Sequence, residues 1–343
     1  MPPSLDITTT TNQWLAPAWV DQVLRDNRFF GEILKKTKKW DGAQMVFPFK
    51  YQKGVATVAF NGFDLLPITQ VQTATNMIFF PTFTATNVAL AGSSLSVNKT
   101  PMQTIDLMKV TMEARAQDAS DDIGNFFQGD GTAYDGKAPM GLAGIIDNGS
   151  DLASYGGLSR ATYPGLNATI NAASNGAISL LQLRQLWNGI SDGPIVPDIT
   201  ITDYNTWSYI EQILVAFQRN TYTDFSPNKE NSASAAGYRD LIWDGMVIMR
   251  DKKIPTGTIY MINTDVTNFY ALKWYEGTAV SAKGSLVEEN VYEDSIYTPS
   301  VFTWTGWIHA YNQATINGFM ILGGQIICLA PFRNGAITGV TGN

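Results

Sequence analysis

This chain of 343 residues contains a single cysteine and a single histidine. One cysteine excludes a disulfide within the chain. Zinc sites and activated nucleophiles are built mainly from histidine and cysteine, so a chain with one of each has almost none of the side chains that they need. We therefore expect no enzymatic activity, no catalytic residue, no metal and no cofactor. Cys328, in an apolar run, is predicted to be a small buried hydrophobe. His309 is predicted to pack between Trp307 and Tyr311 on one strand face.

Charged residues are also scarce, at 15% of a chain that is 45% hydrophobic. A surface with so little charge is poorly solvated in a free monomer and suits one that neighbouring subunits cover. The formal net charge of −7 argues against tight binding to a phosphate backbone. No apolar run is long enough to span a bilayer. Since the N-terminus also lacks a secretory signal, we expect synthesis in a cytoplasm-like compartment.

Three weak motifs approach known sites without matching them. The run from Gly131 to Lys137 resembles a phosphate-binding loop, but it lacks the final Ser or Thr and follows a predicted helix, so we interpret it as a turn. The run 147–151 has the composition of a calcium loop without its glutamate. Four clustered acids and nine tryptophans leave a carbohydrate-active hydrolase as an alternative function. These acids are Glu288, Glu289, Glu293 and Asp294.

The strongest local signal predicts one long amphipathic helix over residues 100–128. Its apolar residues recur at spacings of three and four, which places them on one face. They are Ile105, Met108, Met112, Ala116, Ala119, Ile123 and Phe127. At about 1.5 Å per residue the helix would run about 40 Å, so we interpret it as a support on which other layers pack.

Shorter elements are predicted on both sides of this helix. Residues 1–16 read as an extended arm, Pro17–Lys36 as one helix, and the middle of the chain as alternating helices and strands. The middle elements are helices over 179–189 and 204–218, strands over 198–202, 241–250 and 258–262, a flexible loop over 224–237, and a short helix after Asn263. The C-terminal strands are predicted over 302–304, 308–311, 319–322 and 325–330.

Between Gln44 and Thr86 the hydrophobic period changes to two, which indicates β-strands. A second run, Val55 to Phe60, reaches Asn61-Gly62, a strong tight-turn signal. Because a two-stranded ribbon is marginally stable alone in water, we predict that it projects from the body and packs on an adjacent subunit. The candidates for this inter-subunit contact are Met45, Phe47, Phe49, Tyr51, Val58, Phe60, Phe63, Phe79, Phe80 and Phe83.

The order of these parts resembles that of the major capsid proteins of tailed bacteriophages. Three local runs support the resemblance. The run 136–146, with Pro139-Met-Gly-Leu142, is similar to the P-x-G-L segment that follows the family's spine helix. The run 197–207 resembles its axial strand-to-helix step, and 257–265 resembles its late strand and turn.

The resemblance implies an α+β protein with the Hong Kong 97-type capsid fold. That fold has an N-terminal arm, an extended β loop, a peripheral domain with the long spine helix, and an axial domain. By this mapping residues 1–43 are the arm and short helix, and 44–86 are the extended loop. Residues 87–139 and 291–343 would form the peripheral domain, and 140–290 the axial domain.

The implied function is that of a major capsid protein in the virion. Copies would assemble in the host cytoplasm into hexamers and pentamers of an icosahedral head that encloses the genome without specific DNA binding. Because a helix is predicted soon after Met1, we expect a separate scaffolding protein, with a portal and in some phages a decoration protein as further partners. Another virion component, from the tail or the decoration, is an alternative. Some relatives cross-link a loop lysine, and Lys50 and Lys53 lie in that region, so cross-linking stays open.

Overall fold

A computed structural model describes most of the chain. The described residues are 15–54, 57–66, 71–97, 101–172, 176–217, 241–272, 274–275, 278–280, 301–311 and 313–342. Residues 1–14 of the predicted arm, the predicted loop at 224–237 and the four clustered acids lie outside them. The described part combines helices with two main sheets, which confirms the α+β class. Within it, no helix has the length and apolarity to cross a bilayer.

Helices and strands are numbered separately in chain order. The helices are α1 (Ala16–Asp26), α2 (Arg28–Leu34), α3 (Gly92–Val97), α4 (Pro101–Gln128), α5 (Leu142–Ile145), α6 (Leu180–Ile190) and α7 (Tyr204–Phe217), with single turns at Ala133–Gly136, Pro164–Leu166 and Pro331–Arg333. The first strands are β1 (Lys38–Lys39), β2 (Met45–Lys50), β3 (Ala74–Phe79), β4 (Phe83–Ala91), β5 (Ser154–Tyr155), β6 (Leu158–Ser159), β7 (Thr169–Ala172), β8 (Ile199–Thr202) and β9 (Leu241–Trp243). The later strands are β10 (Met246–Arg250), β11 (Ile259–Ile262), β12 (Thr267–Ala271), β13 (Thr278–Val280), β14 (Phe302–Trp304), β15 (Ile308–His309), β16 (Thr315–Cys328) and β17 (Gly335–Thr338).

The first sheet is organised around the long strand β16. Its order is β1-β12-β16-β14-β13, with β4 and β15 also paired to β16. Residues 315–323 pair with β4, whereas 324–328 pair with β12, so one strand joins two groups of partners. The change occurs at Gly323-Gly324, where Gly324 has φ +121° and an added Cβ would lie 2.1 Å from the Tyr270 carbonyl oxygen.

The spine helix α4 packs its predicted apolar face against this sheet and against α1. Met108, Met112 and the stripe residues after them are buried, and only Ile105 at the helix start is half-buried. Phe127 closes the stripe by stacking on Phe30 at 4.3 Å between ring centroids. The amphipathic pattern therefore predicted this helix and its buried face correctly.

The second sheet has six strands in the order β7-β17-β11-β8-β10-β9. Helices α6 and α7 form a separate apolar core with it, which includes Leu186, Ile210, Ile248 and Met261. Ser179 caps α6 with a capping box completed by Gln182, which explains where that helix begins. Five of the strands come from residues 140–290, but β17 comes from the C-terminal segment, and β12 lies in the first sheet. The division into peripheral and axial domains stays a prediction.

Four predicted elements differ in the structure. The strand predicted over 241–250 is two strands, β9 and β10, which pair antiparallel around a turn at Asp244-Gly245. The helix over Pro17–Lys36 is two helices, because Asn27 leaves the helical region (φ −108°, ψ 82°) and its side chain donates to the Ser120 carbonyl oxygen at 2.8 Å. The short helix after Asn263 is instead strand β12, whose five buried residues pair with β16. The two strands over 319–330 are parts of the single strand β16.

Candidate subunit interface

The base of the extended loop folds onto its own chain. Strand β2 pairs with β3 in antiparallel register, from Met45 opposite Phe79 to Lys50 opposite Ala74. Phe49 and Phe79 are buried, with the Phe79 ring 5.3 Å from that of Tyr155. Phe47 lies 5.4 Å from Tyr270. The close approach needs small residues below the ribbon, since a Cβ on Gly165 would lie 3.0 Å from the Phe49 ring.

This packing divides the ten predicted contact residues into two groups. Those that pack against the core of their own chain are Met45, Phe47, Phe49, Tyr51 and Phe79. Those that are exposed are Val58, Phe60, Phe63, Phe80 and Phe83. Phe49 and Phe79 of the first group are buried and the other three are half-buried, so this group anchors the loop in its own chain. A contact to an adjacent subunit stays a prediction for both groups.

The loop tip, residues 57–66, presents apolar side chains to solvent. Phe60 is 62% exposed, and Phe63 and Leu65 are fully exposed. Its turn is closed by two hydrogen bonds: the Asp64 amide donates to the Asn61 carbonyl oxygen at 2.8 Å, and the Asn61 amide donates to the Asp64 carboxylate at 2.8 Å. These exposed apolar side chains make the loop tip the candidate for the predicted contact with an adjacent subunit.

Leu65 and Leu66 belong to this exposed tip but were absent from the sequence-based candidates. The alternation of apolar and polar residues does not extend to them, so the period-two pattern offered no signal. The signal that could have identified Leu65 and Leu66 was their position next to Phe63 in one loop between two β-prone runs.

A buried charged cluster around Arg160 holds together the segment 144–166, which follows the spine helix. The guanidinium of Arg160 donates to the carbonyl oxygens of Gly144 at 2.7 Å, Asp147 at 2.6 Å and Leu166. Its Nε atom lies 3.7 Å from the Asp147 carboxylate, and both side chains are 1% exposed. The Cζ atom of Arg160 also lies 5.2 Å from the centroid of the Tyr155 ring. The Tyr155 hydroxyl in turn accepts a hydrogen bond from the amide of Cys328 in β16 at 2.8 Å. The cluster therefore connects the segment after the spine helix to the first sheet.

The Asp147 carboxylate is held by backbone amides as well as by Arg160. It accepts from the amides of Gly149 at 2.9 Å, Leu152 at 3.1 Å and Asp151 at 3.3 Å. Burial alone would raise the pKa of Asp147, but these amides and the charge of Arg160 outweigh burial and hold it below its ordinary value. The run that resembled a calcium loop is thus a turn closed on its own carboxylate.

The P-x-G-L segment has a packing role. Gly141 lies so close to the end of the spine helix that a Cβ there would be 2.5 Å from the carbonyl oxygens of Phe126 and Phe127. Leu142 and Ile145, in the short helix that follows, are fully buried. Glycine at 141 therefore allows the chain to reverse against the helix end, and the next residues enter the core.

The remaining sequence motifs contribute no catalytic arrangement in the described residues. The run Gly131–Lys137 is a turn, as predicted, in which Tyr134 and Asp135 adopt left-handed φ of 55° and 58°. His309 is exposed on the short strand β15, so its predicted packing is wrong; the strand lies at the sheet margin, where it pairs with only two residues of β16. Within the described ranges no three His, Cys, Asp or Glu side chains cluster as a metal site requires.

Comparison with solved structures gives the fold. The capsid asymmetric unit of cyanophage A-1(L) matches with a TM-score of 0.65 at 12% identity, over 92% of this chain and 93% of that one. The capsid of a native GTA particle matches with 0.55 at 8% identity, over 93% and 90%. The holo-SrpI encapsulin complex of Synechococcus elongatus matches with 0.54 at 9% identity, over 91% and 87%.

No model of a known protein family and no curated protein matches the chain in sequence. The likeness is therefore one of architecture, and it extends over nearly the whole length of each chain. The protein has the Hong Kong 97-type capsid fold, as the sequence resemblance predicted.

Proposed function

We propose that this chain is a major capsid protein whose copies form hexamers and pentamers of the icosahedral head shell around a phage genome. The observation that carries the proposal is the combination of a capsid fold with an apolar loop tip that is exposed in its own chain. The role is structural, without catalysis, and its place is the virion after assembly in the host cytoplasm.

The physical argument rests on the extended loop. Its base is anchored in its own core through Phe49 and Phe79, while Phe60, Phe63 and Leu65 stay in water. Removing apolar surface from water contributes about 25 cal/mol per Å², which favours burial of the tip against another copy. Each contact is modest, but a closed lattice engages many contacts at once, so effective concentration multiplies their strength.

We propose the same partners as the sequence resemblance implied. They are further copies of this chain, a separate scaffolding protein, a portal and, in some assemblies, a decoration protein. The genome is held by confinement, because the net charge of the chain is −7. The one short basic cluster considered as a local DNA contact is Lys35, Lys36, Lys38 and Lys39, and Lys36 in it is paired with Asp265 at 2.8 Å. Duplex DNA should therefore bind isolated subunits weakly and without sequence preference at physiological salt.

Expression of the full chain, alone and with neighbouring phage gene products, followed by electron microscopy tests the proposal. Shells or hexamers are expected. Phe63→Asp should abolish them while circular dichroism shows a folded subunit, because the Phe63 side chain is fully exposed in its own chain. Tyr311→Asp is the matched control, since Tyr311 is equally exposed but lies far from the loop in sequence, and it should still assemble.

Other outcomes would replace the proposal. A tube or a particle that forms only on preassembled heads would favour a tail or decoration protein. A soluble monomer that hydrolyses oligosaccharides would favour the carbohydrate-active alternative. Shells that form equally well with Phe63→Asp would remove the loop tip from the interface.

A further inference from the structure

The chain contains six Asn-Gly pairs, and one of them lies in the exposed loop tip. In such a pair the backbone nitrogen of glycine can attack the side-chain carbonyl carbon of asparagine, because glycine has no Cβ to obstruct the approach. Whether a pair reaches this geometry depends on how the fold holds the two groups. The six pairs begin at Asn61, Asn148, Asn175, Asn188, Asn317 and Asn334.

The pair Asn61-Gly62 has its two reacting groups side by side. The Gly62 amide donates to the Oδ1 atom of Asn61 at 2.9 Å. Because the attacked Cγ carbon is bonded to that oxygen, the hydrogen bond keeps the nitrogen and the carbon close together. A Cβ added at Gly62 would meet nothing within 4 Å, and residues 57–66 are all exposed. Water therefore has access to both groups.

Two other pairs are restrained by side-chain hydrogen bonds. The amide of Gly149 donates to the Asp147 carboxylate at 2.9 Å, so it is directed away from the side chain of Asn148. Asn334 is fully buried, and its Oδ1 atom accepts from the Asn263 amide at 2.9 Å. In both pairs the attack would require contacts of the folded chain to break.

Two further pairs lie inside regular secondary structure. Asn188 belongs to helix α6, and Asn317 belongs to β16, where it is paired with Ala89 of β4. The hydrogen bonds of the helix and of the ladder hold the backbone of these pairs. The pair at Asn175 is outside the described residues. Among the described pairs, Asn61-Gly62 is thus the one in which the glycine amide contacts its own asparagine side chain.

We propose that Asn61 of the free subunit is a site of spontaneous deamidation. The Gly62 nitrogen loses its proton and bonds to the Asn61 Cγ atom, while the Cγ–Nδ2 bond breaks and ammonia leaves with a proton. Water then opens the cyclic imide at one of its two carbonyl carbons. Opening at Cγ gives aspartate, and opening at the backbone carbonyl carbon gives isoaspartate. In sum an amide and water become a carboxylate, a proton and ammonia, so water is the only co-reactant.

The modification should weaken assembly, a consequence that rests on the proposed shell function. It places a negative charge between Phe60 and Phe63, which are exposed in the free chain. The new carboxylate also lies close to that of Asp64, which accepts from the Asn61 amide at 2.8 Å. Because burying a charge without a partner is costly, a tip that carries it docks less well. Copies whose tips are already covered would be protected from the reaction.

Peptide mapping by mass spectrometry of the full chain, kept dilute in mildly alkaline buffer, tests the modification. Base should accelerate it, because the attacking nitrogen must lose a proton. Each deamidated peptide gains the mass difference between OH and NH₂, and labelling by isoaspartate methyltransferase identifies the isoaspartate. The same protein in urea gives the rates of all six pairs without the fold.

We expect Asn61 in the native protein to react at close to its rate in urea, whereas Asn148, Asn317 and Asn334 slow several-fold. Gly62→Ala is the matched variant, since its Cβ meets no neighbour, and it should slow the reaction at Asn61 several-fold. Equal slowing of all the pairs in the native protein, or an unchanged rate in Gly62→Ala, would overturn the proposal.

Electron microscopy of Asn61→Asp and Asn61→Gln tests the effect on assembly. The first variant carries the charge permanently and should form several-fold fewer particles, while the second keeps an amide and should assemble like the parent protein. Equal assembly of the two variants would overturn this effect. If the parent protein forms no particles, the proposed shell function fails, and the peptide mapping still decides whether Asn61 is modified.

Discussion

Replacing Arg160 with methionine tests whether the buried cluster around this residue holds together the segment 144–166. The substitution keeps an unbranched apolar side chain but removes the guanidinium. The carbonyl oxygens of Gly144, Asp147 and Leu166 then lose the guanidinium as a donor, although that of Asp147 keeps the bond from the Ala168 amide at 3.0 Å. The Asp147 carboxylate, 1% exposed, keeps its amide bonds but loses its charged partner.

The expected loss of stability follows from these contacts. A hydrogen bond to a charged group contributes about 1.5–3 kcal/mol, and removing one member of a buried ion pair costs about 3–5 kcal/mol. These terms describe the same contacts and do not add. We therefore expect Arg160→Met to lower the free energy of unfolding by about 4 kcal/mol. Arg115→Met is the matched control, because its pair with Asp118 is exposed on α4 and should contribute less than about 0.5 kcal/mol.

Urea unfolding followed by tryptophan fluorescence measures both variants, since the chain has nine tryptophans. The Arg160→Met midpoint should fall well below that of the parent protein at an unchanged slope. Equal midpoints for Arg160→Met and Arg115→Met would refute the reasoning, because they would mean that the buried guanidinium contributes no more than a surface one.

The remaining predictions concern acid stability, the spine helix, the thiol and one glycine. The pKa of Asp147 in the folded protein lies below its unfolded value of about 3.9. The contribution of its carboxylate to folding stability is therefore complete above that pH and is lost as the pH falls through the folded pKa. The difference in stability between the parent protein and Asp147→Asn should shrink below about pH 4. Met112→Asp should cost several kcal/mol in urea unfolding and prevent soluble assembly, whereas Glu113→Lys on the exposed face should be mild; equal effects would contradict the observed face. Burial raises the pKa of Cys328 to about 11, so thiol reagents should label it only after unfolding, and rapid labelling of native protein would disprove its burial. Gly141→Ala should destabilise the fold through its contact with the helix end, while the same change at Gly62, which has no neighbour within 4 Å, should be nearly neutral by thermal unfolding.

Local pattern alone determined much of this protein. The spacing of Met112, Ile123 and Phe127 defined the spine helix and its buried face, because helical periodicity depends only on neighbours in sequence. The order of elements, with the Pro-Met-Gly-Leu run after the helix, resembled that of the phage capsid family, and that resemblance predicted the fold. Phe60 and Phe63 are exposed in their own chain, and their contact with an adjacent subunit stays a prediction.

Only the tertiary structure decided which segments pair and which charges are buried. The sequence predicted a two-stranded ribbon over 44–86 without assigning its partners, and the structure pairs β2 with β3 where Phe79 packs on Tyr155 and Phe47 on Tyr270. Asn27 interrupts a helical pattern because of a contact with Ser120, 93 positions away. Arg160 gave no signal in sequence, since its partners are backbone carbonyls brought together by the fold. Long-range contacts of this kind depend on which surfaces the chain brings together, and a local pattern does not encode them.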